Sequence, residues 1–267
     1  MKARLFESGE KIFKDNLFLH INMSEKRTNL KRPVQGQRPL ELEVAIHPHS
    51  NGIIVVNYPG ITVDIDGYNN KYGQQADFVQ EKGIGTVVRM GNPIYDGLPY
   101  PKGMIDNFKF VLDYCLANGV DLSGKKNPTL YLMGFSAGAS TIAAVASDYS
   151  AVEKILLMAP SGDVGQAAVE RGLGRFTGEV YIAIGDRDEV VGTEAGKTFY
   201  DLATAAKVRK LEVIPDCNHQ FFGERNGKIM SKAPLWAFAG DTTFPSPEGG
   251  IGSLCFLRLS KYPLIAS

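Results

Sequence analysis

Residues 128–144 read PTLYLMGFSAGASTIAA, and the fold turns on this stretch. Residues 129–133 form a short, almost unbroken apolar run without helical period, the pattern of a parallel strand buried on both faces. From Ala139 onward the residues are small and helix-tolerant. Between them lies Gly134-Phe135-Ser136-Ala137-Gly138, a G-x-S-x-G pattern. Set between a strand and a helix, it describes a sharp turn that lifts one serine hydroxyl out of the sheet. The backbone at such a serine is strained and passes close to its neighbours, so positions 134, 137 and 138 have room only for hydrogen or methyl. A helix opening at the serine also offers free N–H groups and the positive end of its dipole to a nearby anion.

Outward from this unit, strands alternate with helices. Residues 12–23 and 40–47 alternate as antiparallel strands, and the basic stretch 26–38, punctuated by Pro and Gly, is expected as a solvated loop. Residues 53–57 (IIVVN) are the first central parallel strand, 71–82 a helix, 85–90 (GTVVRM) a strand and 102–118 a helix. After the serine turn come a strand at 153–158, a short helix at 164–171, and strands at 180–184 and 210–214 separated by a helix at 194–206. A last helix is expected from Phe221 onward. The class is α/β: a mostly parallel central sheet with antiparallel N-terminal strands and helices on both faces. Ligands of such sheets bind at the carboxyl ends of the strands. Residues 1–240 are expected as one domain, with 241–267 a tail packed on it or loosely ordered.

The chain has 267 residues, enough to bury roughly 70–75% of its unfolded surface without disulfide or metal staples. Lys plus Arg equals Asp plus Glu, at 29 each, so no net field favours nucleic acid or an anionic membrane. Cys115, Cys217 and Cys255 are odd in number and lack metal-ligand spacing, which favours free thiols in a reducing compartment. With no secretory signal and no run of 18 apolar residues, the expected location is cytoplasmic.

A serine hydroxyl is a weak nucleophile until an oriented base takes its proton. Of the four histidines, His20 falls in an expected strand, and His47 and His49 flank a turn upstream; all three read as structural or solvated. His219, in Pro215-Asp216-Cys217-Asn218-His219, follows the strand 210–214 on the edge where Ser136 stands, and is the candidate base. The acid comes from Gly185-Asp186-Arg187-Asp188-Glu189-Val190-Val191, after the preceding strand. Asp186, Asp188 and Glu189 compete. Asp188 fits best, because Val190 and Val191 can anchor its loop inward, whereas Asp186 suits a side-chain hydrogen bond to backbone in the turn. Asp216 and Cys217 lie too close to His219 along the loop to converge on it.

The order Ser136, Asp188, His219 resembles that of an α/β-hydrolase, over about residues 10–235. Within that superfamily the acid loop is most similar to the dienelactone hydrolase and esterase branch. The resemblance implies an oxyanion hole from the backbone N–H groups of Ala137 and Ile61, the latter just past Tyr58-Pro59-Gly60, where the common histidine-containing form is replaced. Only residues 159–178 are available for a cap, so little or no cap domain is expected. Tyr95, Tyr100 and Phe135 are candidate substrate-binding walls. The implied activity is hydrolysis of a small-molecule carboxylic ester through an acyl-enzyme, needing no cofactor or metal. The alternatives are the same triad acting on amides or in acyl transfer, and a hydrolase fold kept for ligand binding.

Overall fold

The computed structural model describes residues 25–61, 63–92 and 102–251. Among them the strands are β1 (Lys26–Arg32), β2 (Leu40–His47), β3 (Ile53–Tyr58), β4 (Thr86–Met90), β5 (Thr129–Phe135), β6 (Val152–Met158), β7 (Glu179–Arg187) and β8 (Val208–Asn218). The helices are α1 (Lys71–Glu81), α2 (Lys102–Ala117), α3 (Gly119–Ser123), α4 (Ala137–Val145), α5 (Gln166–Leu173), α6 (Glu194–Leu202) and α7 (Glu224–Ala239). The strands form one sheet in the order β1-β2-β4-β3-β5-β6-β7-β8. β2 runs antiparallel to both neighbours, and every other pair is parallel.

Strand alternation distributes the core. In β5, Leu130 and Leu132 join an apolar cluster with Phe108 and Leu112 of α2, Ile142 of α4, Leu173 of α5 and Phe199 of α6. Tyr131, Met133 and Phe135 point the other way, into a cluster with Val79 of α1 and Met230 and Trp236 of α7. Burial on both faces is why β5 reads as an unbroken apolar run. Among the described residues no helix is long and apolar enough to cross a membrane.

Three differences from the sequence expectations have physical causes. Residues 26–32 are not a solvated loop but strand β1, paired from Lys26 opposite Ile46 to Arg32 opposite Leu40. Only Leu30 of β1 is buried; the charges describe its exposed side chains, not its hydrogen-bonded backbone. β7 and β8 run further than expected, to Arg187 and Asn218, and stay paired across a register shift after Gly185. The last helix starts at Glu224 rather than Phe221, because Phe221 has φ 56° and belongs to a turn.

The segment between β6 and β7 holds α5, which packs on α4 so closely that a methyl at Gly172 would lie 2.1 Å from the Ala143 carbonyl oxygen. That helix covers the sheet instead of forming a cap. The first part of the tail folds back on α7: Phe244 stacks on Trp236 at 4.6 Å, and the buried Lys232 ammonium donates to Thr243 Oγ1 at 2.6 Å. The expected strand at 12–23, His20, Cys255 and residues 252–267 lie outside the described residues.

Candidate active site

Ser136 joins β5 to α4 with φ 53° and ψ −120°, a conformation that costs a non-glycine residue about 1–3 kcal/mol. Three backbone hydrogen bonds hold it there. Its N–H donates to Met158 O at 2.9 Å, and its carbonyl accepts from the Ser140 and Ser161 amides at 3.1 and 3.4 Å. The flanking glycines are stricter than the sequence implied. A methyl at Gly138 would sit 2.1 Å from the Tyr58 carbonyl oxygen, and one at Gly134 would sit 2.7 Å from Ile142 Cδ1. Hydrogen alone fits at both; position 137 carries a fully buried methyl.

The other two groups come from the lengthened ends of β7 and β8. At Gly185 a methyl would lie 1.9 Å from the Cys217 carbonyl oxygen, so glycine is what lets the two strand ends close on each other. Beyond it Asp188 turns inward and is 5% exposed, while Asp186 and Glu189 stay at the surface. Asp188 Oδ1 accepts the amides of Val190 and Val191, each at 3.0 Å, leaving Oδ2 for His219 Nδ1 at 2.8 Å. A carboxylate only accepts, so Nδ1 carries the proton and Nε2 presents its lone pair. That Nε2 lies 3.2 Å from Ser136 Oγ.

The His219 loop is fixed by its neighbours. Asn218 Oδ1 accepts the Phe222 amide at 3.0 Å, and Asn226 Nδ2 donates to the carbonyls of Asp216 and Phe222, both at 3.0 Å. Asp186 accepts the Cys217 amide at 3.3 Å, a side-chain-to-backbone bond made across to β8 rather than within its own turn. Asp216 pairs with Arg187 at the surface and does not reach His219.

The turn Pro59-Gly60-Ile61 passes against the serine: a methyl at Gly60 would be 3.5 Å from Ser136 Cβ. Ala137 is the first residue of α4, so its N–H has no intrahelical acceptor. Phe135 is 3% exposed and backs the imidazole, its ring 5.1 Å from that of His219 and 6.3 Å from that of Phe221. Tyr95 and Tyr100 lie outside the described residues.

Two neighbours had no signal in the sequence. Lys71, which opens α1, is only 6% exposed and sets its ammonium 4.8 Å from the Phe135 ring centre, a cation–π contact. Ser161 donates its amide to Ser136 O and its hydroxyl to Asp163. A lysine at a helix start and a serine after a strand are ordinary until the fold brings them to the elbow.

His47 belongs to a different cluster, as its structural reading implied. It is buried, with Nδ1 2.8 Å from Asp77 Oδ1, while Nε2 accepts from Arg89 Nε at 3.0 Å. The fully buried Arg89 also donates to Ile65 O at 2.6 Å and Asp66 Oδ1 at 3.1 Å, and pairs with Glu25. His49 holds strand β4 through its backbone amide on Thr86 Oγ1 at 2.7 Å.

Several solved structures share this architecture. The esterase Pf2001 of Pyrococcus furiosus is 15% identical, with a TM-score of 0.61 over 82% of this chain and 95% of that one. Est1E from Butyrivibrio proteoclasticus is 18% identical, with a TM-score of 0.55 over 72% and 90%. An alpha-beta serine hydrolase homologue from Coxiella burnetii is 23% identical, with a TM-score of 0.55 over 73% and 89%. At such identities the likeness is one of fold. No family model matches the sequence, and no curated protein matches it.

Proposed function

On this α/β-hydrolase fold, we propose that the protein is a serine hydrolase of small-molecule carboxylic esters. The observation that carries this reading is the chain of contacts from Asp188 Oδ2 through His219 to Ser136 Oγ, 2.8 and 3.2 Å long, at the carboxyl edge of the sheet. Ser136 Oγ attacks the ester carbonyl carbon as His219 Nε2 takes its proton. Asp188 stabilises the imidazolium. The amides of Ile61 and Ala137 hold the tetrahedral oxyanion, each such donor being worth about 10²–10³ in turnover. Collapse breaks the C–O bond, and His219 returns the proton to the leaving alcohol. A water deprotonated at the same nitrogen then attacks the acyl-enzyme, releasing the carboxylic acid and restoring Ser136. Tyr95 and Tyr100 complete the substrate walls in this reading. Every proton moves on the chain's own groups, so the mechanism calls for no cofactor or metal.

The test is a panel of short- and long-chain p-nitrophenyl esters beside aminoacyl amides. Methyl ferulate joins the panel because a structure of Est1E has ferulic acid bound. We expect ester turnover that Ser136→Ala abolishes. Turnover of the amides alone would overturn the ester assignment.

A further inference from the structure

Among the described residues the sheet ends in two edge strands, β1 and β8, and they differ in chemistry. β1 carries Lys26, Arg27, Lys31 and Arg32 and no acid. Pairing it antiparallel with a second β1 about Asn29 would set Arg27 against Lys31 and Lys26 against Arg32. Like charges directly opposite repel, so this edge is closed to a copy of itself.

β8 is the opposite edge. It pairs only with β7, and among the described residues no strand meets the outer N–H and C=O groups of residues 208–214. Its sequence there is Val208-Arg209-Lys210-Leu211-Glu212-Val213-Ile214, and its charges are complementary about Leu211. Val213 is 42% exposed, one of few large apolar side chains at the surface among the described residues.

We propose that β8 pairs antiparallel with β8 of a second copy about a two-fold axis at Leu211, joining the two sheets into one. An isologous contact of this kind repeats each pairing by symmetry. Lys210 then stands opposite Glu212 of the partner subunit, and Glu212 opposite the partner's Lys210. These side chains share one face of the sheet, where the Lys210 ammonium already lies 5.6 Å from the Tyr181 ring centre. On the other face Leu211 meets the partner's Leu211, and Val213 lies along the stem of the partner's Arg209. A groove of about 540 Å³ between α6 and β8, lined by Tyr200, Leu211 and Val213, leaves room for them.

Glu212 adds a second reason. Burial pushes its carboxyl above the usual range, and Lys210 of its own strand only partly offsets this. A half-buried carboxylate in that position gains from a second cation, which the two-fold pairing supplies. Pro215, lacking an N–H, ends the pairable stretch before the His219 loop.

The proposal does not depend on Ser136 being a nucleophile, and sedimentation velocity over micromolar concentrations tests it. The wild-type chain sediments at twice its monomer mass. Lys210→Glu sets carboxylates face to face at both symmetric positions and weakens the dimer at least about tenfold. The charge swap Lys210→Glu with Glu212→Lys restores it, which no loss of folding could mimic; far-UV circular dichroism checks that each variant is folded. A wild-type chain that stays monomeric, a dimer indifferent to Lys210→Glu, or a swap that fails to restore association would each overturn the proposal.

Discussion

Among the described residues two histidines are buried, each with Nδ1 2.8 Å from an aspartate oxygen. They differ in what stands at the other nitrogen and in how the acid is housed. At His47, Nε2 accepts from Arg89, and the Asp77 side chain is 61% exposed. Its lone pair is already used by a guanidinium that never gives up its charge. At His219, Nε2 faces a hydroxyl held on a strained turn, and the Asp188 side chain has no exposure at all. A histidine–aspartate pair is therefore not a site by itself. The third partner, and the seal around the acid, separate a strand clamp from a candidate base.

Equivalent substitutions in the two pairs should break in opposite ways. His219→Gln should lower kcat by about 10⁶-fold while leaving the melting temperature nearly unchanged. His47→Leu strips Arg89 and Asp77 of a partner, and should cost about 2 kcal/mol and lower Tm by roughly 4–8 °C. Turnover at a temperature where the variant is folded should stay within about twofold of wild type. Asp188→Asn should cost about 10⁴-fold in kcat by favouring the wrong tautomer, whereas Asp77→Asn should leave steady-state kinetics unaltered. Equal losses in the two aspartate variants would dissolve the distinction.

A smaller effect sharpens the contrast at the elbow. Gly138→Ala pushes a methyl into the Tyr58 and Pro59 carbonyls, and so moves the loop that carries Ile61. We expect kcat to fall about 10²-fold with KM little changed, as for loss of one oxyanion donor.

The smallest effect is on the clamp side, in acid. Burial alone would raise the carboxyls of Glu25 and Asp66, but the Arg27 hydrogen bonds and the nearby Arg89 outweigh it and hold both below the usual range. A carboxylate with a depressed folded pKa contributes stability that is present above its unfolded value and lost as the pH falls through the folded one. Urea melts should therefore weaken below about pH 4, and Glu25→Gln should flatten part of that slope. An unchanged slope would mean the clamp carboxylates do not govern acid stability.

Much of this was legible along the chain because its causes are local. The apolar run before Gly134, the glycines of the turn and the position of His219 after a β-branched strand all speak within a few residues. Asp188 stood out from Asp186 and Glu189 because two valines follow it, but those side chains do not anchor the loop: Val190 is 63% exposed, and Asp188 is held inward by accepting the backbone amides of residues 190 and 191. What stayed hidden depends on distant partners. Arg89 sits in the run TVVRM, where a buried charge makes sense only once Glu25, His47 and Asp66 surround it. The strand character of residues 26–32 was masked because outward charges say nothing about a backbone paired to β2. Lys71 is the same kind of case, since its burial comes from Phe135 and Tyr72.

The measurement that bears most directly on all this is intact mass after reaction with a fluorophosphonate, followed by peptide mapping of the adduct. The account predicts a single phosphonyl group on Ser136, lost in Ser136→Ala and in His219→Gln but retained in His47→Leu. A protein that takes up no label, or whose label maps elsewhere and survives Ser136→Ala, would contradict it.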